Sequence, residues 1–121
     1  MIYLLMVSCS NADEKIVMGV EETPYFPHYE FGDSKKRGFA PELFDTFAKK
    51  NGYAIEYKAY PITRLYSEFF SRHIDLKYPD NPNWNTEKRS EHKVFYSASV
   101  ANFVDGIMVR PENVGKGFGE L

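Results

Sequence analysis

Residues 74–89, Ile-Asp-Leu-Lys-Tyr-Pro-Asp-Asn-Pro-Asn-Trp-Asn-Thr-Glu-Lys-Arg, carry a dense run of side chains able to do chemistry. The run starts at Ile74 as a short apolar-alternating strand and breaks at Pro79. Tyr78, Asp80, Asn81, Asn83, Trp84 and Asn85 can then hydrogen-bond or stack, and the stretch ends on Thr86-Glu87-Lys88-Arg89. In α/β proteins a loop leaving the carboxyl end of a sheet strand is where ligand-contacting groups are presented. The same residues also suit a plain surface connection in which Trp84 fills a local core, and their types alone leave both roles open.

Other candidate chemistry is thin. His28, His73 and His92 are too far apart for a metal motif, and none shares a helix at four-residue spacing with another ligand. Glu21 and Glu22 are a carboxylate pair in name only, because neighbours on an extended chain point to opposite sides. The single cysteine, Cys9, lies in residues 1–12, which read as an export leader. There an apolar run from Ile2 to Val7 precedes the small residues Ser10-Asn11-Ala12. Met6-Val7-Ser8-Cys9 loosely matches a bacterial lipobox, which makes Cys9 a candidate lipid anchor. A mature chain cut after Ala12 would hold no thiol for a disulfide, a nucleophile or a metal.

Elements must position these groups, and composition bounds what they build. A length of 121 residues suits one core. An apolar fraction of 43% with 26% charged residues is ordinary for a globular domain. The aromatic share of 17% is high and suits stacking surfaces as well as core. A net charge of −2 argues against DNA, RNA or an anionic membrane as partner. The basic cluster Lys35-Lys36-Arg37 sits in a glycine-flanked turn.

Residues 16–20 form a compact β-branched strand, followed by an aromatic, proline-rich loop at 21–29. Pro41 opens a helix whose apolar stripe is Leu43, Phe44, Phe47 and Ala48. Lys49 and Lys50 suit its last turn and Gly52 a left-handed cap. Residues 53–60 alternate as a second strand, so the first two strands and their helix form a βαβ unit with parallel strands. Thr63 is placed to cap a second helix with the face Leu65, Tyr66, Phe69 and Phe70, ending near His73. Strands at 74–77 and 103–109 complete an α/β chain: a βαβαβ core with a mostly parallel sheet flanked by helices.

The ordered set of words in this pattern resembles the N-terminal lobe of type II periplasmic solute-binding proteins, and more narrowly the amino-acid-binding (family 3) class serving ABC importers. The matching pieces are Ile16-Val17-Met18-Gly19-Val20, Gly38-Phe39-Ala40-Pro41-Glu42-Leu43, Ile74-Asp75, Thr86-Glu87-Lys88-Arg89, Val94-Phe95-Tyr96-Ser97 and Asp105-Gly106-Ile107-Met108-Val109. The resemblance implies a leader at 1–12, a first lobe at 13–109 and, at 110–121, a hinge leading into a second lobe that this chain does not carry. It implies a non-catalytic periplasmic protein without a cofactor, which captures a small polar solute and delivers it to an ABC permease in the membrane. Arg89 would grip the ligand carboxylate, since a guanidinium forks onto a carboxylate as a lysine cannot. Glu21 would face the ammonium, Tyr25 would pack on the side chain, and Arg64, Tyr78, Asp80 and Trp84 would line the cleft.

Departures from the family pattern qualify the ligand. Family 3 receptors place small hydroxyl residues just before the arginine, where this chain has Pro82 and Trp84 in a longer loop. A modified amino acid, a cation or a small heterocycle stacked on Trp84 or Tyr78 therefore stands beside an ordinary amino acid. A lobe without its partner would expose an apolar flank and favour dimerisation through it. Two further functions fit the same pattern: an extracytoplasmic sensor lobe, and a dehydratase-like enzyme using Glu21 or Asp80 as acid or base. The alternative role for Arg89 is a surface salt bridge to Glu87, Glu91 or Asp75. Asp75 itself reads as structural, at the start of its strand.

Overall fold

A run of apolar residues without strict alternation suits a strand covered on both faces, and residues 16–20 become the centre of the sheet. The structure is a computed structural model that describes residues 13–32, 35, 37–102, 104, 106 and 108–117. The order is β1 (Glu14–Glu21), α1 (Phe39–Asn51), β2 (Tyr53–Tyr60), α2 (Ile62–Phe70), β3 (Leu76–Tyr78), α3 (Thr86–Arg89) and a 3-10 turn at Pro111–Asn113. Three strands pair in parallel in the order β2-β1-β3. Met18, Gly19 and Val20 of the central strand are all buried. This is a small α/β fold, a parallel sheet flanked by helices.

The helices lie on opposite faces. Lys77 reaches the ring of Tyr66 in α2, 4.1 Å from its centroid, whereas the next residue, Tyr78, meets Phe44 of α1 edge-on at 4.8 Å. Successive strand residues point to opposite sides, so α2 covers one face and α1 the other. Under α2 the backbone must come close. A Cβ on Gly19 would stand 2.1 Å from Ile74 Cδ1 and 2.7 Å from Leu65 Cδ1, so any side chain there forces both of those buried side chains to shift. Leu65 and Ile74 are core residues, with Met18, Val20, Tyr29, Ala40, Ala48 and Tyr66.

Helix ends depart from the sequence expectation, each for a local reason. α1 starts at Phe39, two residues before Pro41, because main-chain carbonyls cap it in place of a side chain. Phe39 N–H donates to Pro27 O (3.0 Å) and Ala40 N–H to His28 O (2.8 Å). That close approach fixes Gly38, whose φ of 83° and 2.7 Å gap between a built Cβ and Pro27 O exclude a side chain. Gly52 does adopt the left-handed cap, at φ 71° and ψ 33°. The expected α1 stripe is only partly covered: Ala48 is buried but Phe47 is half exposed, because α1 packs on the edge strand β2.

Thr63 does not cap α2; Pro61 occupies the N-cap, and Thr63 lies one residue inside the helix. The helix stops at Phe70 rather than near His73. Arg72 turns left-handed at φ 60°, and His73 N–H reaches back to Glu68 O at 3.0 Å while Arg72 N–H reaches Phe69 O at 3.0 Å. This is the paired hydrogen-bond pattern of a Schellman ending, with arginine where glycine is usual. β3 is shorter and later than the expected 74–77. Ile74 and Asp75 lead into it through Asp75 N–H to Val17 O and Val17 N–H to Asp75 Oδ2, both 2.8 Å. Asp75 therefore mimics a ladder partner, a structural role.

The strand expected at 103–109 is not formed by its described residues: 104, 106, 108 and 109 have no ladder partner, and Val104 and Met108 are almost fully exposed. The rest of that strand and the leader with Cys9 lie outside the described residues.

Candidate functional site at the strand ends

The chain leaves β1 for β2 on one side and then crosses back past β1 to β3. The order therefore reverses between β1 and β3, and in open parallel sheets the crevice outside the carboxyl ends at such a reversal is the ligand position. Val20 pairs with Tyr78 in register, which puts Glu21 and the Pro79 loop together at that end.

Asp80 is the hub. Its Oδ1 accepts from Arg89 Nη2 (2.7 Å), from the N–H of its neighbour Asn81 (2.8 Å) and from the Tyr66 hydroxyl (3.3 Å). Its Oδ2 lies 3.6 Å from Lys77 Nζ. Arg89 Nη2 also donates to Asn81 O at 2.7 Å, and the guanidinium carbon sits 5.2 Å from the centroid of the Tyr96 ring. The side chains of Lys77, Asp80 and Arg89 are 3%, 11% and 10% exposed, so this is an enclosed charge cluster. Among the described residues, Arg89 Nη1 is the buried side-chain nitrogen with no hydrogen-bond partner. A buried donor left unpaired costs roughly 1–3 kcal/mol, more for a charged group.

Lys77 serves the loop. Its ammonium donates to Pro79 O at 2.7 Å and lies against the Tyr66 ring, tying the chain down just after the strand ends. Burial pulls its proton affinity below the ordinary lysine value, and the carboxylates of Asp80 and Glu21 partly oppose that shift. Asn81 folds the next three residues into a turn: Asn83 N–H donates to its Oδ1 and Trp84 N–H to its carbonyl, both at 2.9 Å. Asn85 then takes φ 48°, a conformation asparagine tolerates, and starts α3, which places Arg89.

On the α1 side the groups are aromatic. The Tyr78 hydroxyl meets His28 Nε2 at 2.5 Å, and the two rings stack at 5.9 Å. The Tyr29 hydroxyl donates to Glu21, and its ring meets Tyr78 edge-on at 6.1 Å. Burial raises the pKa of Tyr78, and burial with the Glu21 contact raises that of Tyr29. Glu21 thus joins the two sides, holding Tyr29 while its charge acts on Lys77.

The expected site residues divide accordingly. Asp80 and Arg89 meet directly, and Glu21 and Tyr78 flank them through Lys77 and Tyr29. Tyr25 stands in the same aromatic loop, 62% exposed, with its ring 5.9 Å from Tyr29. Trp84 is on the loop at 36% exposure, neither core nor fully open. Arg64 does not join the cluster: its partners are Glu68, at 3.2 Å, and the ring of Tyr60. The surface salt bridge expected as the alternative for Arg89 also takes another form, since its partner is Asp80 and not Glu87, Glu91 or Asp75.

Residues not singled out in advance are Lys77, Tyr66, Tyr29 and Tyr96. The signal for Lys77 was its place at the end of a strand facing a helix with an inward tyrosine, which alternation alone cannot distinguish from a solvent-facing lysine. Among the described residues, no three His, Cys, Asp or Glu side chains stand close enough to hold a metal ion. No described helix is long and apolar enough to cross a membrane. A scan against protein-family models, a search of curated proteins and a search of solved structures each return no match.

Proposed function

We propose that the chain is an extracytoplasmic solute-binding lobe of the periplasmic type II kind, which captures a small amino-acid-like solute for an ABC transporter and catalyses no reaction. The observation that carries this reading is the unpartnered Arg89 Nη1, buried beside the reversal point of a parallel sheet. A solute carboxylate would satisfy that donor once the enclosed cluster opens to admit it, and a charge-assisted hydrogen bond of this kind is among the stronger ones. Glu21, at the neighbouring strand end, supplies the opposite charge for an ammonium group. Tyr25, Tyr78 and Trp84 offer ring surfaces to the remainder of the solute. Asp80 holds the guanidinium in place through Nη2, so its orientation is set before a solute arrives.

A thermal-shift screen against amino acids, polyamines and small heterocycles tests this reading. A ligand that binds only the folded state raises Tm as its concentration passes Kd. One class bearing a carboxylate should raise Tm in the parent chain and not in Arg89→Ala, each measured against its own unliganded value. Shifts that persist in Arg89→Ala would remove the carboxylate grip, and no shift with any class would remove the solute-binding reading.

A further inference from the structure

A second recess lies along α2, with Tyr66 as the wall it shares with the Asp80 cluster. Thr63, Ser67 and Ser71 recur every four residues, so their hydroxyls stand in one row on that side of the helix. Lys88 of α3, His92 in the turn after it and the rings of Tyr66 and Phe70 line the same open groove, whose volume is about 460 Å³. No carboxylate lines it.

The side chains of Thr63, Ser67, Ser71, Lys88 and His92 along this groove are exposed and make no contacts that would withhold them from a solute. Hydroxyls on helices commonly turn back onto the preceding turn's carbonyls, yet none of the three exposed side chains makes a hydrogen bond within the described residues, so a solute would compete for them with water alone. Lys88 and His92 are equally uncommitted: neither side chain has an ion pair or hydrogen bond among the described residues. The imidazole is nevertheless held in place, stacked on Phe70 at 4.4 Å with 12° between the planes. Its ring edge is therefore oriented, while only its main-chain N–H is used, donating to Arg89 O at 3.0 Å.

Three hydroxyl donors, an ammonium and an imidazole without a competing acid are suited to a tetrahedral oxyanion, which accepts from several directions at once. The groove exceeds the volume of the ion alone, and its remaining walls are the rings of Tyr66 and Phe70. The geometry points to a binding site for a phosphate monoester: its phosphoryl group lies between the hydroxyl row and Lys88 with His92, and its organic part rests on the two rings. This site is separate from the Arg89 grip and does not rest on it.

The test is a titration of the whole chain with phenyl phosphate and, separately, inorganic phosphate, monitored by amide NMR and calorimetry. Phenyl phosphate should shift the amides of residues 67–71 and 88–92 saturably and bind more tightly than inorganic phosphate. Lys88→Ala and His92→Gln should each weaken it about tenfold, the scale of one charge-assisted hydrogen bond. Lys88 is exposed, so its replacement leaves the fold intact, and the response to a carboxylate solute at Arg89 should be unchanged in that variant. No saturable shift, an affinity no better than that of inorganic phosphate, or binding that survives both substitutions would each overturn the assignment.

Discussion

The two faces of the sheet meet at the same strand ends and solve the same burial problem with different chemistry. On the α1 face Tyr78, His28, Tyr29 and Phe44 pack as rings, and their polar atoms pair locally at little electrostatic cost. On the α2 face Lys77, Asp80 and Arg89 bring three formal charges into an enclosed space and leave one guanidinium nitrogen unmet. Rings stabilise by area and tolerate loss of a single hydrogen bond, whereas an enclosed charge depends on every partner. The contrast identifies the α2-side cluster as the one more sensitive to loss of a partner, and the α1 side as the more tolerant.

Removing the hub should have the largest effect. Asp80→Ala leaves Lys77 and Arg89 buried beside one another without their counter-ion, and breaking a buried pair typically costs roughly 3–5 kcal/mol. Chemical denaturation would read this directly, and a loss below about 1 kcal/mol would mean that water already reaches the cluster. Gly19→Ala tests the packing under α2. The added methyl meets Ile74 and Leu65, and overpacking of this kind costs about 1–3 kcal/mol. On the ring side Tyr78→Phe should be milder, about 1 kcal/mol for one hydrogen bond lost from a retained ring. If it equalled Asp80→Ala, the proposed division between the faces would fail.

Alkaline titration compares the faces without mutation. Tyr29, Tyr57, Tyr66, Tyr78 and Tyr96 all have pKa values raised above 10.0 in the folded state. Their neutral forms are thus favoured by folding, so this contribution is complete below about pH 10 and is lost as pH rises through the folded values. Lys77 has the opposite sign: its folded value lies below 10.5, so stability rises with pH as the unfolded chain alone keeps that proton. Melts from about pH 8 upward should show net loss above about pH 10, since these tyrosines outnumber Lys77 among the described residues. A Lys77→Met variant, without the opposing group, should lose stability more steeply as pH approaches about 10. The smallest effect belongs to Arg64→Ala, whose exposed pair with Glu68 should be close to neutral in a thermal melt.

Much of the scaffold was legible because it is local. The β-branched run at 16–20, the alternation at 53–60 and Gly52 as a cap each express a period or a backbone preference that neighbours do not override. The features hidden from a sequence reading are tertiary. The early start of α1 depends on carbonyls of Pro27 and His28, ten or more residues away in the chain. Thr63 looked like a cap, but the proline-fixed extended backbone before it begins the helix first. The apolar character of 103–109 promised a strand, yet a strand needs a partner edge, and its described residues have none. In the site, Asp80 and Arg89 were both recognisable as candidates, but their mutual bond was not, because it requires the Asn81 and Asn85 turns to fold the loop back on itself. Lys77 was invisible for the same reason: its burial is set by Tyr66, on another element.

The proposed solute-binding function stands or falls with Arg89 as the grip at the strand ends. The side-chain guanidinium NMR signal of Arg89, followed during titration with the best compound from the thermal screen, reads that contact itself. A saturable shift of that signal is expected, with amides of residues 20–22 and 78–81 moving on the same binding curve. Saturable binding that leaves the Arg89 guanidinium unmoved would rule the grip out.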